Sequence, residues 1–249
     1  MGDFIMSCYF IGKCRHVSEK CLNAIPDIKL NCSHSHVGQH IVDRYGALYG
    51  VEILSRPLED LRVLSTMDHY FSLMTPSKHN FILMEIANKL TFFNGRKKAK
   101  NNHYFINVER FSLLDNHVVK SLCRLSQSFQ RTGSTLVVEI TERHIALSPY
   151  TIEAEYKLKE ANILIALDDF TYDVHSELNA ARHDYVKFDL RYIRDNRYFN
   201  TFVDWAFEIK ELGVKIIVEC VETEHDALLA HSLPFDYFQG YYYDNFDDL

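Results

Sequence analysis

Proline and glycine are scarce, at 5 and 9 residues of 249. That scarcity excludes a Pro-rich or Gly/Ser-rich linker and any low-complexity tract. No apolar run reaches the ~20 residues of a membrane helix. The N-terminus MGDFIMSCYFIGKCR lacks the basic-then-apolar order of a signal peptide. Its start, MGDFIM, also lacks the Ser or Thr that a myristoylation site carries at position 6. A basic stretch is missing too: RKKAK at Arg96–Lys100 is short, and 27 basic residues face 34 acidic ones for a net charge of −7. General binding to polymeric nucleic acid needs concentrated positive charge and is excluded. The six cysteines form no C-x-x-C pair, and four fall irregularly within the first 32 residues, so no disulfide framework or zinc ribbon can be read. Cys32, His34 and His36 form one short Cys/His tract of the kind that often arises by accident. The thiols read as reduced and the chain as cytoplasmic, with no membrane attachment.

What is present is a core. The chain is 47% hydrophobic, with 17 Phe and 15 Tyr, which suits one large folded domain. Residues 1–34 show no period and read as an extension or lead-in; 35–249 read as a single domain. Eight short apolar runs recur there: QHIVD (39–43), ALYGVEILSR (47–56), HYFINV (103–108), TLVVEI (135–140), ILIALDD (163–169), YVKFD (185–189), KIIVECV (215–221) and YFQGYYY (237–243). The later runs are apolar at consecutive positions, as in parallel strands buried on both faces. Helix-length stretches lie between them, at Phe81–Phe93, Phe111–Arg131, Thr151–Ala161 and Asn200–Leu212. The fold class is therefore α/β, a TIM-like (β/α)8 barrel. Only Arg44, Tyr45 and Gly46 separate the first two runs. That is too short for a parallel crossover and right for a hairpin, so the first strand is antiparallel to the rest.

Polar residues fall near the ends of these runs: Glu52, Asn107, Glu139, Asp168, Asp169, Lys187, Glu219 and Gln239, with Glu222 just beyond. A barrel gathers strand ends into one ring. Each residue alone reads as a solvated rim position; seven consecutive strands each offering one read as a site. The acidic and amide groups are oxygen donors without His or Cys, which suits Mg²⁺ or Mn²⁺. Crowded carboxylates call for cations, and a two-metal site activates water and stabilises charge on phosphorus. Lys187 is placed to hold an attacking water or to neutralise a phosphate, and Arg56 to grip a phosphate oxygen. A separate reading makes Lys187 a Schiff-base nucleophile of a carbon–carbon lyase, but its acidic surroundings favour the charged, unreactive amine.

The ordered set resembles the EAL-domain family of cyclic di-GMP phosphodiesterases. GVEILSR (50–56) resembles the motif that names the family, and INV, VVEITE, LDDF, VKFD, VECVE and FQGYYY resemble its later motifs in order. QHIVD resembles its Gln-Pro-Ile start. The resemblance implies metal ligation by Glu52, Asn107, Glu139, Asp168, Asp169 and Glu219, with Glu52, Lys187 and Glu219 carrying the chemistry. It implies substrate contacts from Gln39, Arg56 and Gln239, and support from Glu142, Asp189 and Glu222. The implied reaction is Mg²⁺- or Mn²⁺-dependent opening of cyclic di-GMP to linear pGpG, in a homodimer. Departures favour a second reading, a weak or inactive member that regulates by binding cyclic di-GMP or a protein partner. FTYDVHSEL (170–178) stands where the family has a Gly-rich loop, Cys220 stands where it usually has Gly, and Asn245 and Phe246 stand where it has Pro. The family's loop joins the residue matching Glu142 to the dimer contact.

Overall fold

The computed structural model describes residues 34–57, 75–94, 102–141, 147–170, 178–194, 199–243 and 247–248. The lead-in, the basic cluster at 96–100, Cys32, Glu142, most of the loop that follows Phe170, and Asn245 and Phe246 lie outside them.

The strands are β1 (His34–Asp43), β2 (Leu48–Pro57), β3 (His103–Glu109), β4 (Thr135–Thr141), β5 (Leu164–Leu167), β6 (Tyr185–Asp189), β7 (Lys215–Glu219), β8 (Tyr237–Gln239) and β9 (Asp247–Asp248). The helices are α1 (Pro76–Asn94), α2 (Asn116–Gln130), α3 (Pro149–Glu160), α4 (Leu190–Arg194), α5 (Phe199–Glu211) and α6 (Glu224–Ser232), with a 3-10 turn at Arg110–Leu114. Pairing runs β2-β3-β4-β5-β6-β7-β8-β1, and β1 pairs back onto β2, so eight strands close a barrel; β9 adds to β1. From β2 to β8 neighbours are parallel, whereas β1 is antiparallel to both β2 and β8. The hairpin expected from the three-residue connection is present: Asp43 N–H donates to Ala47 O and Gly46 N–H to Asp43 O. The Asp43 carboxylate also accepts from the Tyr45 and Ala47 amides.

β1 begins five residues earlier than its apolar run, and β8 keeps only the first three residues of its run. Gly240 explains the second difference. Its φ of +150°, and a Val221 carbonyl oxygen 2.2 Å from where a Cβ would stand, turn the chain at once and admit only glycine. Two elements left no period in the sequence. Helix α4 has only five residues. α6 is fixed at its N-terminus by a capping box between Thr223 and Asp226.

Alternation along the strands divides the core in two. Outward-facing Val51, Ile53, Tyr104, Ile106, Val108, Leu136, Val138 and Ile140 pack beneath α1, α2 and α3. Phe188, Ile216, Val218 and Phe238 pack beneath α5 and α6, where Trp205 meets the ring of Phe202 edge-on. Inward-facing Ile41, Phe105, Val137, Ala166, Tyr185 and Ile217 fill the lower barrel together with Tyr49 and Tyr237. Tyr49 stacks on Tyr237 at 3.7 Å between ring centroids, and its hydroxyl lies 2.5 Å from that of Tyr185. Among the described residues no helix is long and apolar enough to cross a membrane.

A bulge sets the register above this floor. Ile41 pairs with Gly50 but Val42 with Leu48, leaving Tyr49 as the extra residue on β2. Tyr49 and Glu52, three positions apart, thus both face inward. The strands come so close here that a Cβ on Gly50 would sit 2.8 Å from both His103 O and the Phe105 ring.

Candidate active site

The site is the next inward layer, two residues along each strand from the floor. Phe105 leads to Asn107, Val137 to Glu139, Ala166 to Asp168, Tyr185 to Lys187, Ile217 to Glu219 and Tyr237 to Gln239. On antiparallel β1 the step runs backward, from Ile41 to Gln39, which pairs with Glu52 across the hairpin.

Lys187 is the hub. Its Nζ lies 2.7 Å from Glu139 Oε1, 2.7 Å from Glu219 Oε1, 3.1 Å from Glu52 Oε2 and 3.8 Å from Asp168 Oδ1. Glu52 is held from three sides: Asn107 Nδ2 donates to Oε1 at 2.6 Å, and Gln239 Nε2 (2.5 Å) and Lys187 both donate to Oε2. Gln239 Nε2 also reaches Gln39 Oε1 at 3.0 Å. These contacts bring together Gln39, Glu52, Asn107, Glu139, Asp168, Lys187, Glu219 and Gln239.

The electrostatics follow from four buried or half-buried carboxyls around one ammonium. Burial, with the charges of Glu52, Asp168 and Glu219, pushes Glu139 far above the usual carboxylate range. Burial raises Asp168 to about 6 and Glu219 to about 8, opposed in each case by Lys187. Glu52 goes the other way: burial would raise it, but the Lys187 ammonium and the Gln239 amide outweigh that and hold it low. Lys187 is raised in turn, since the four carboxylates more than offset its own desolvation.

The donor set suits a hard divalent cation. Every group is an oxygen donor apart from the lysine, and neither oxygen of fully buried Glu139 makes a hydrogen bond, although Oε1 is within ion-pair distance of Lys187. In this arrangement the carboxylates converge on the ammonium; no three His, Cys, Asp or Glu side chains among the described residues converge on a common ion position. Asn107 gives its amide N–H to Glu52, a bond that does not use its Oδ1, an oxygen donor of the kind such a cation takes.

The remaining predicted positions lie around this layer. Asp169 is exposed, in a left-handed conformation with φ +47°. Arg56 lies four residues beyond Glu52, near the end of β2, opposite Ser35. Asp189 lies one inward step past Lys187 and binds the exposed Arg191 guanidinium through Nε and Nη2. Glu222 is exposed, its N–H donating to Asp226. Tyr241 and Tyr242 project from the turn after β8, while Tyr243 packs on His231 and Phe238. His34 and His36 lie outside the barrel, against Glu85 of α1 and Ser55. The aromatic floor went unnoticed in the sequence, although stepping back two residues from each polar strand end picks it out.

Cys220 has φ +58°, the left-handed region in which a Cβ is strained. Glycine adopts this backbone without strain, so the departure noted at this position places a side chain where the family's usual Gly has none. Cys220→Gly is expected to raise stability by roughly 1 kcal/mol, read from the urea midpoint. A lower midpoint would mean that the thiol's contact with Asp189 outweighs the strain.

Comparison with known proteins agrees with this fold. The family model described as EAL domain matches residues 39–245. PdeG of Escherichia coli K12, a probable cyclic di-GMP phosphodiesterase, is 24% identical over 216 residues, covering 80% of this chain and 42% of PdeG. PdeL of the same organism, a cyclic di-GMP phosphodiesterase, is 30% identical over 150 residues, covering 57% of this chain and 41% of PdeL. Against the curated relatives it matches, the chain spans between 20% and 42% of their length. Among solved structures, the EAL-domain protein YkuI of Bacillus subtilis, in complex with substrate c-di-GMP and calcium, superposes with a TM-score of 0.66 at 20% identity, covering 86% of this chain and 56% of that one.

Proposed function

The chain belongs to the EAL-domain family, and on that premise we propose that it is a metal-dependent phosphodiesterase that opens cyclic di-GMP to linear pGpG. The observation that carries this reading is the ring of Glu52, Asn107, Glu139, Asp168 and Glu219 about Lys187, each in or directly after a different strand. Two Mg²⁺ or Mn²⁺ ions would be held by Glu52, Asn107, Glu139, Asp168, Asp169 and Glu219. They would supply Lewis-acid polarisation of the phosphate and a water of lowered pKa.

The chain's own residues do the rest. Lys187 stays charged among its carboxylates and balances the negative charge of an entering phosphate. Gln239, tied to both Gln39 and Glu52, couples substrate contact to the orientation of Glu52. Arg56 offers a bidentate fork to a phosphate oxygen at the rim. Glu219 combines a raised pKa with partial exposure, so it is placed to exchange a proton with solvent. Glu142, Asp189 and Glu222 support these groups. The protein acts in the cytoplasm as a homodimer.

A second reading, a regulator that binds cyclic di-GMP or a protein partner without turning the dinucleotide over, draws on Thr171 and Asp173 near the positions of the family's glycines. The test is hydrolysis of cyclic di-GMP by the purified chain with Mg²⁺ or Mn²⁺, with EDTA as control. Metal-dependent formation of pGpG is expected. Binding by calorimetry without turnover would establish the second reading, and neither binding nor turnover would reject both nucleotide readings.

A further inference from the structure

Helix α1 packs outside the barrel wall, yet one of its side chains reaches the site through the backbone. His79 is 4% exposed, and its Nε2 lies 3.0 Å from the main-chain carbonyl of Asn107. Its Nδ1 lies 3.1 Å from Ser112 Oγ, in the 3-10 turn that follows β3. A carbonyl only accepts, so Nε2 carries the proton. Nδ1 is then the acceptor, and the Ser112 hydroxyl donates to it. Both ring nitrogens are satisfied by the neutral tautomer, and burial, which lowers the pKa to about 4, keeps it neutral.

The clamp sits where the sheet ceases to hold Asn107 on one side. The β2–β3 pairing ends at Ile53 and Ile106, one residue before Asn107, while the pairing with β4 continues through Asn107 and Glu139. From this point Asn107 sends Nδ2 to Glu52 Oε1 at 2.6 Å. We propose that His79 is a positioning residue: it fixes the Asn107 backbone from outside the barrel, and so fixes the amide that orients Glu52 and presents Oδ1 to the cation. The inference deepens the phosphodiesterase reading and rests on it.

Substitutions of His79 in the full chain test this. His79→Phe keeps an aromatic ring and loses both hydrogen bonds, whereas His79→Gln keeps a donor of similar reach. His79→Phe should lower both kcat for cyclic di-GMP and Mn²⁺ affinity, the latter read by electron paramagnetic resonance of free Mn²⁺, by about 10–100-fold each. KM should stay within about threefold, since Gln39 and Arg56 are untouched, and His79→Gln should recover most of the loss. In an Asn107→Ala background His79→Phe should add almost nothing. A purely structural role predicts instead a lower melting temperature with kcat and Mn²⁺ affinity unchanged, or equal losses in both backgrounds, and either result overturns the proposal. Should the parent chain fail to hydrolyse cyclic di-GMP, the phosphodiesterase reading falls and the Mn²⁺ titration decides the role of His79. Should it bind no Mn²⁺ either, the side-chain amide signals of Asn107 in ¹⁵N spectra decide: they shift in His79→Phe if the clamp positions that amide, and stay in place if it does not.

Discussion

Lys187→Met is expected to cost the metal-free protein about 3–5 kcal/mol at neutral pH, the usual penalty for removing one partner of a buried ionic cluster. Lys187 is 1% exposed and lies within 4 Å of four carboxyl groups, so no water can replace its charge. Methionine fills most of the volume, which separates the electrostatic loss from a cavity. The carboxylates have one recourse, protonation, and the penalty should therefore shrink as the pH is lowered. Millimolar Mn²⁺ should restore much of the melting temperature, because cations replace the missing charge. Turnover should stay at least ~100-fold down, since a residue that handles charge or water in the transition state is not replaced. Chemical denaturation with and without Mn²⁺, alongside hydrolysis assays, reads both. A variant as stable as the parent without metal, or active within tenfold of it, would contradict the central role given to this ammonium.

The second large effect is the pH dependence of the unsubstituted protein. Asp168 and Glu219 have folded pKa values of about 6 and about 8, above their ordinary values, and burial raises Glu139 well above its own. A raised acid binds its proton more tightly folded than unfolded. Its contribution to stability is therefore complete below the unfolded pKa near 4 and is lost as pH rises through the folded value. The metal-free protein should lose melting temperature between about pH 5 and pH 8. Metal binding requires the same groups deprotonated, so affinity for Mn²⁺ should climb over that window and protons should be released. Thermal melts from pH 5 to pH 8, with and without saturating Mn²⁺, should diverge as pH rises. Parallel curves would mean that these carboxyls do not face the cation.

Much of this arrangement could be read from the chain. Runs such as ILIALDD and YVKFD betray strands buried on both faces, and the three residues between Asp43 and Ala47 allow only a hairpin. Polar residues stand at strand ends because inward positions alternate. The residues that resisted reading act through three-dimensional coincidence. His79 sits in a helix with no sequence tie to Asn107, 28 positions away. The bulge at Tyr49 breaks the period of two, so Glu52 faces inward three residues on instead of two or four. The Gly240 turn depends on a Val221 carbonyl from another loop. Asp169, adjacent to buried Asp168, is exposed and takes a left-handed backbone, which residue type alone does not announce.

The aromatic floor has a kinetic corollary. With the lower barrel filled from Ile41 and Phe105 to Tyr185 and Ile217, the described residues close the polar layer from beneath and leave its upper side as the doorway. Whatever leaves must pass the threshold that the next molecule enters. If the chain opens cyclic di-GMP as proposed, the open-chain product would keep the phosphates and bases of its cyclic precursor, and each turnover would leave a rival in the passage. Its escape, and not bond cleavage, would then be the slow event of the cycle.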